Sequence, residues 1–131
     1  MTFRFPIRVY YEDTDAGGIV YHANYLKFFE RARTEMLREE GISQSVLLEQ
    51  NIGFVVRHLE IDFLKSAQLD QCLEVVTCLT ERRKASLVFC QELVNPQHEV
   101  LCRAIVKVAC IDTNKMKPQM IPDLVFSEKP Q

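Results

Sequence analysis

The chain has no excess of positive charge. Its 131 residues carry 16 Lys and Arg against 18 Asp and Glu, a formal charge of −2. That balance removes the general electrostatic reason to expect nucleic acid or an anionic membrane as partner. No apolar run is long enough to span a bilayer. The opening residues Met1-Thr2-Phe3-Arg4-Phe5-Pro6 lack an apolar stretch of signal length, so no secretory leader is expected. The cysteines Cys72, Cys78, Cys90, Cys102 and Cys110 are odd in number and contain no Cys-x-x-Cys pair. A disulfide frame and a zinc ribbon are therefore disfavoured. Each cysteine sits in an apolar, strand-like run and reads as a small core residue in a reducing cytoplasm. No repeat, low-complexity tract or linker divides the sequence, so residues 1–131 are expected to fold as one domain around one core.

What is present is a change of period. Residues 3–10 alternate, with Phe3, Phe5, Ile7 and Val9 set against Arg4 and Arg8, and read as a strand. Pro6 costs that strand a ladder donor and suggests an edge or a bulge. A loop follows over 11–18. The spacing of Tyr25, Phe28, Phe29, Ala32, Met36 and Leu37 predicts a helix over 23–40 with a broad apolar face. Asn24 or His22 is a candidate cap at its start, and Gly41 is the stop signal. A short helix capped by Ser43 is expected over 43–50. The period then switches to strands over 53–64, 72–79, 85–94 and 100–111, with a turn at Asn95-Pro96-Gln97-His98. The tail over 115–131 carries Pro118, Pro122 and Pro130 and is expected to lie over the surface. Strands joined by short turns pair antiparallel, and one long helix against such a sheet is an α+β layer arrangement. The sheet's outer face and edge need cover, so a dimer or larger closed assembly is expected.

The stretch Tyr10-Tyr11-Glu12-Asp13-Thr14-Asp15-Ala16-Gly17-Gly18-Ile19-Val20-Tyr21-His22 is the part that speaks of chemistry. It sets two carboxylates, a Gly-Gly turn and a histidine just ahead of the long helix. Backbone N–H groups at a helix start have no partner inside the helix and attract negative charge. A carboxylate beside them can attack, or direct water at, a polarised carbonyl. Spacing alone leaves two other readings open. One is a local turn in which Asp13 and Asp15 bond nearby N–H groups, the plainer role for Asp13. The other is a metal site on Asp13, Asp15 and His22, for which further ligands are not visible.

The run Tyr11-x-Asp13-x-Asp15-x-x-Gly18-Ile19-Val20-Tyr21-His22-x-x-Tyr25 ahead of an aromatic helix resembles the hotdog-fold acyl-CoA thioesterases of the 4-hydroxybenzoyl-CoA thioesterase type. Continued through Phe28-Phe29-Glu30-Arg31-Ala32-Arg33-Thr34-Glu35, it is similar to the Tol–Pal-associated acyl-CoA thioesterases of Gram-negative bacteria. The resemblance implies a curved antiparallel sheet wrapped around the long helix. It also implies dimers, often paired into tetramers, that hold substrate at the subunit interface. It makes Asp15 the catalytic acid and the backbone N–H of His22 the carbonyl-polarising donor, with the His22 ring a feature of the Tol–Pal-type branch. Gly18, Val20, Tyr21 and Tyr25 then fall beside the substrate. The basic run Glu81-Arg82-Arg83-Lys84 resembles a coenzyme-binding run, in which Arg82, Arg83 and Lys84 would clamp phosphates; a solvated strand end is the plain alternative.

A thioester needs little help, because its thiolate leaving group is stable, with a thiol pKa of about 8.5. One carboxylate and one oxyanion donor could suffice without a serine triad. Hydrolysis of acyl-CoA, or of acyl-carrier-protein thioesters, to acid and thiol is thus the expected activity, with no cofactor because coenzyme A is part of the substrate. Two alternatives remain: a non-catalytic acyl-thioester sensor, and a hydroxyacyl dehydratase, whose His loop with Pro and Gly is not found here. Glu30 and Glu35 are expected to pair with helix arginines. His58 and His98 are expected at the surface.

Overall fold

The computed structural model describes residues 2–126. Strand β1 (Thr2–Arg8) is followed by a 3-10 turn at Tyr11–Asp13 and by helix α1 (Asn24–Glu39). A short helix α2 (Gln44–Glu49) precedes β2 (Ile52–Phe63), β3 (Cys72–Arg82), β4 (Ser86–Val94), β5 (Val100–Asp112) and the two-residue β6 (Lys117–Pro118). The strands form one antiparallel sheet in the order β1-β3-β4-β5-β2, with β6 on β5. Expected and observed elements agree within about three residues at their ends. β1 lies at the sheet edge, where the missing donor of Pro6 is tolerated.

Inward-facing residues alternate with outward-facing ones along β3 and β4: Leu73, Val75, Thr77 and Leu79 on one, Leu87, Phe89, Gln91 and Leu93 on the other. Phe28, Phe29, Ala32 and Met36 of α1 pack into this face as one continuous core. Burying each large side chain contributes about 1.5–3 kcal/mol. The helix stops at Gly41, which takes φ +79°, while Ile42 N–H reaches Leu37 O at 3.0 Å and Gly41 N–H reaches Arg38 O at 2.9 Å. This is the paired 6→1 and 5→2 pattern that a left-handed glycine permits.

The core carries one polar network. Gln91 Nε2 donates to Phe29 O and to Thr77 Oγ1, both at 3.0 Å, and Gln91 Oε1 accepts from Arg33 Nη1 at 2.9 Å. Arg33 also pairs with Glu30, as Arg38 does with Glu35. Burial lowers the Arg33 pKa and Glu30 opposes that shift. The network ties helix to sheet at one register, because every partner must be met where water is excluded.

Three expectations are corrected. Asn24 does not cap the helix: the N-cap position is Ala23, with no side-chain cap bond, and Asn24 Nδ2 instead donates to Asp13 O at 2.9 Å. The tail does not simply lie over the surface. Ile121, Val125 and Phe126 are buried, and the Phe126 ring meets Phe89 edge-on at 6.0 Å. After the short β6, a turn closed by Val125 N–H on Pro122 O at 3.0 Å delivers these apolar side chains to the core. Residues 127–131 of that tail fall outside the described residues. Finally, Cys102 and Cys110 are buried and Cys78 and Cys90 half-buried, but Cys72 is exposed at the start of β3. Burial pushes the Cys102 thiol up to about 12 and raises Cys90 and Cys110 as well.

Replacing Gln91 by Leu leaves Arg33 short of an acceptor and Thr77 short of a donor in a dry core. A loss of about 3 kcal/mol in urea unfolding is expected, against less than about 1 kcal/mol for Glu35→Gln, which breaks an exposed pair.

Candidate active site

The loop after β1 is built by consuming one aspartate. The Asp13 carboxylate is buried, and its Oδ2 accepts the Tyr10 N–H at 2.8 Å. Its carbonyl accepts both the Tyr21 N–H at 3.0 Å and the Asn24 side chain at 2.9 Å. Asp13 therefore joins the strand exit to the helix start, the structural role expected for it. Asp15 opens a tight turn: its N–H donates to Ile19 O at 2.9 Å, and its carbonyl accepts the Gly18 N–H at 3.1 Å. Gly18 takes φ +77°, the one position in this turn that requires a glycine.

The Asp15 side chain is exposed. Its Oδ1 accepts the Gly17 N–H at 2.9 Å, the local turn bond that spacing had suggested. Its Oδ2 has no hydrogen-bond partner among the described residues. The turn bond thus holds the carboxylate in place and leaves one oxygen free. At the helix start, Asn24 N–H donates to Tyr21 O at 2.8 Å and Leu26 N–H to Ala23 O at 3.3 Å. No acceptor among the described residues takes the His22 N–H. The His22 ring lies tilted against Tyr21 with centroids 4.5 Å apart and meets Phe63 edge-on at 6.3 Å. It makes no ion pair with Asp15.

These groups share a cleft of about 260 Å³ lined by Asp15, Ile19, Val20, His22, Tyr25 and the segment 63–66. Hydrogen bonds hold the two walls together. Val20 N–H reaches Ala67 O at 2.8 Å, and Leu69 N–H reaches Gly18 O at 3.2 Å. Phe63 and Leu64 are each 51% exposed and leave an apolar rim at the end of β2. Lys65 sits at the mouth paired with Glu99, whose carboxyl that hydrogen bond holds below the usual range. Of the expected residues, Asp15, Val20, His22 and Tyr25 line the cleft, Gly18 shapes its turn, and Tyr21 backs the His22 ring. Segment 63–66 was not anticipated. The alternation of β2 points to Phe63, but nothing in the sequence marks Lys65 or Ser66.

The basic run does not reach this cleft within one chain. Cys72 of β3 pairs with Arg8, next to the loop, and Arg82 lies at the other end of that strand, about 33 Å away at roughly 3.3 Å per residue. Arg82 is also engaged, donating through Nε to Val125 O at 2.7 Å and through Nη2 to Pro122 O at 3.1 Å. Arg83 pairs with Glu81 at 3.3 Å, and Lys84 is exposed. These bonds make Arg82 a pin for the tail, and Arg83 and Lys84 are the more open part of the expected phosphate clamp. His58 and His98 are both exposed. Among the described residues no three His, Cys, Asp or Glu side chains converge as a metal site would require.

A family model described as the thioesterase-like superfamily matches residues 9–127. The acyl-CoA thioester hydrolase YbgC of Escherichia coli O157:H7 is 50% identical over 126 residues, 96% of this chain and 94% of that one. The acyl-CoA thioesterase YbgC of Haemophilus influenzae is 54% identical over 121 residues, 92% of this chain and 88% of that one. The crystal structure of a probable thioesterase from Bartonella henselae superposes with a TM-score of 0.87 at 38% identity, over 93% of this chain and 100% of that one.

Asp13→Ala removes a buried acceptor from Tyr10 while leaving Asp15 in the sequence. It is expected to cost about 2 kcal/mol of folding stability and to speed amide exchange across residues 10–21. Unchanged exchange in that loop would contradict the joining role of Asp13.

Proposed function

The chain belongs to the thioesterase-like superfamily, has its hotdog fold, and from that premise we propose that it hydrolyses acyl-CoA thioesters to free acid and coenzyme A through Asp15 and the helix start. One observation carries the mechanism. Among the described residues, a carboxylate oxygen without a partner and a main-chain N–H without an acceptor belong to two residues that line one cleft. The thioester carbonyl oxygen accepts from the His22 N–H, where the helix dipole favours the charge that develops on attack. Asp15 Oδ2 takes the other face of the carbonyl. It either bonds to the carbon, expelling thiolate and leaving a mixed anhydride that water opens, or accepts the proton of a water that attacks directly. Both routes consume one water and release one acid and one thiol.

The partner in this reading is a second copy. Among the described residues β2 pairs only with β5, which leaves its outer edge open along Ile52–Phe63. Pairing two copies antiparallel along β2 buries exposed Val55, Val56 and Phe63. It also sets the 52–56 end of one copy beside the cleft of the other. Ser86 and Val55 both pair with Ala109, so the Arg83 and Lys84 end of the basic run travels with that end. A phosphate clamp would then act on the neighbouring copy's substrate. Pairing of such dimers into tetramers, an acyl carrier protein as alternative thiol donor, and a cytoplasmic site, which fits five unpaired cysteines, belong to the same proposal.

Asp15→Asn is expected to keep the melting temperature and to lower kcat about 10²–10⁴-fold. Thiol release from a panel of short, long and aromatic acyl-CoAs is the readout. Saturable binding with no thiol released by the unaltered protein would mark it as a sensor instead.

A further inference from the structure

Tyr25 holds a proton that the protein does not use. It is the second residue of α1, and a helical side chain leans back over the preceding turn. Here that turn is the one whose His22 N–H is unfilled. The ring is locked edge-on between Phe28, with centroids 6.2 Å apart, and Phe63, at 5.5 Å. Only 3% of the residue is exposed. Its oxygen accepts the Ala67 N–H at 3.0 Å. A phenol oxygen that accepts one bond still has its own O–H to donate. Among the described residues nothing accepts it, although buried donors are almost always satisfied. The open space beside Tyr25 is the cleft it lines with Asp15 and His22. Burial raises its ionisation above the ordinary 10.0, against the effect of the Ala67 bond, so the group stays a neutral donor.

We infer that the Tyr25 phenol, placed by the Ala67 amide beside the open helix start, donates to the substrate's carbonyl oxygen as a second oxyanion donor. The inference rests on the hydrolase reading. The two unsatisfied donors, N–H and O–H, suit an atom that only accepts. The free oxygen of Asp15, itself an acceptor, suits the attacking side. The bond to Ala67 has a purpose in this arrangement. It turns the lone pair of the phenol toward segment 63–68 and leaves the proton for the cleft.

A purely structural Tyr25 needs only the acceptor; a catalytic one needs the donor. Tyr25→Phe keeps the ring and loses both. It is expected to lower kcat about 10²-fold with little change in KM. The separating readout is the infrared carbonyl band of an acyl-CoA held uncleaved by the Asp15→Asn protein. Adding Tyr25→Phe should move that band toward its frequency in free substrate. Placing 3,5-difluorotyrosine at position 25, a stronger donor of the same shape, should move it the opposite way without disturbing the fold. A band that responds to neither substitution overturns the inference, as does wild-type kcat in a folded Tyr25→Phe protein. A parent protein that releases no thiol from any acyl-CoA overturns the hydrolase reading instead, so the two failures are distinguishable.

Discussion

The junction at Asp13 is the constraint on which the site depends. One buried carboxylate and one carbonyl satisfy the strand exit, the N–H of Tyr21 and the side chain of Asn24. The chain can therefore turn from β1 into α1 within a few residues and still leave the His22 N–H without an acceptor. A side-chain cap would have taken the N–H groups two and three residues further on and closed the helix start. Here the N-cap is an alanine, and the asparagine that could have capped is drawn backward into the loop. The helix end stays open because the residues around it are satisfied elsewhere.

The remainder of the fold holds that opening at a fixed distance from its opposing wall. The Gln91 network sets the register of α1 on the sheet, and the Gly41 stop fixes where the helix ends. Bonds from Val20, Leu69 and Ala67 then tie the turn and the helix to segment 64–69. Cleft, loop and helix are therefore bonded to one another, which a reaction needing two groups on either side of one carbonyl requires. The apolar rim of Phe63 and Leu64 and the free edge of β2 leave one side of the cleft open. In the proposed function a second copy, paired along β2, closes it.

Much of this was legible in the residues. Periodicity alone located the five long strands and α1, because each buries one face and the period says which. Gly41 and Pro6 announced a helix stop and an edge strand through backbone chemistry that no other residue shares. Spacing placed an acidic loop just ahead of a helix start, and the resemblance to the thioesterases singled out Asp15 and His22 within it. What was hidden depends on distant residues. That Arg82 serves Val125 and Pro122, 43 and 40 positions away, is set by where the tail returns. The Tyr25 oxygen meeting Ala67, 42 positions away, is likewise invisible to any local pattern. Burial of Ile121, Val125 and Phe126 was masked by prolines, which report on backbone donors and say nothing of where side chains point.

The most direct test is a structure of the Asp15→Asn protein with an intact acyl-CoA bound. In the proposed mechanism the thioester carbonyl oxygen lies about 2.7–3.1 Å from the His22 backbone nitrogen, with its carbon turned toward residue 15 and the acyl chain running along Phe63. A thioester seated elsewhere, or a carbonyl directed away from the helix start with residue 15 facing bulk solvent, would contradict it.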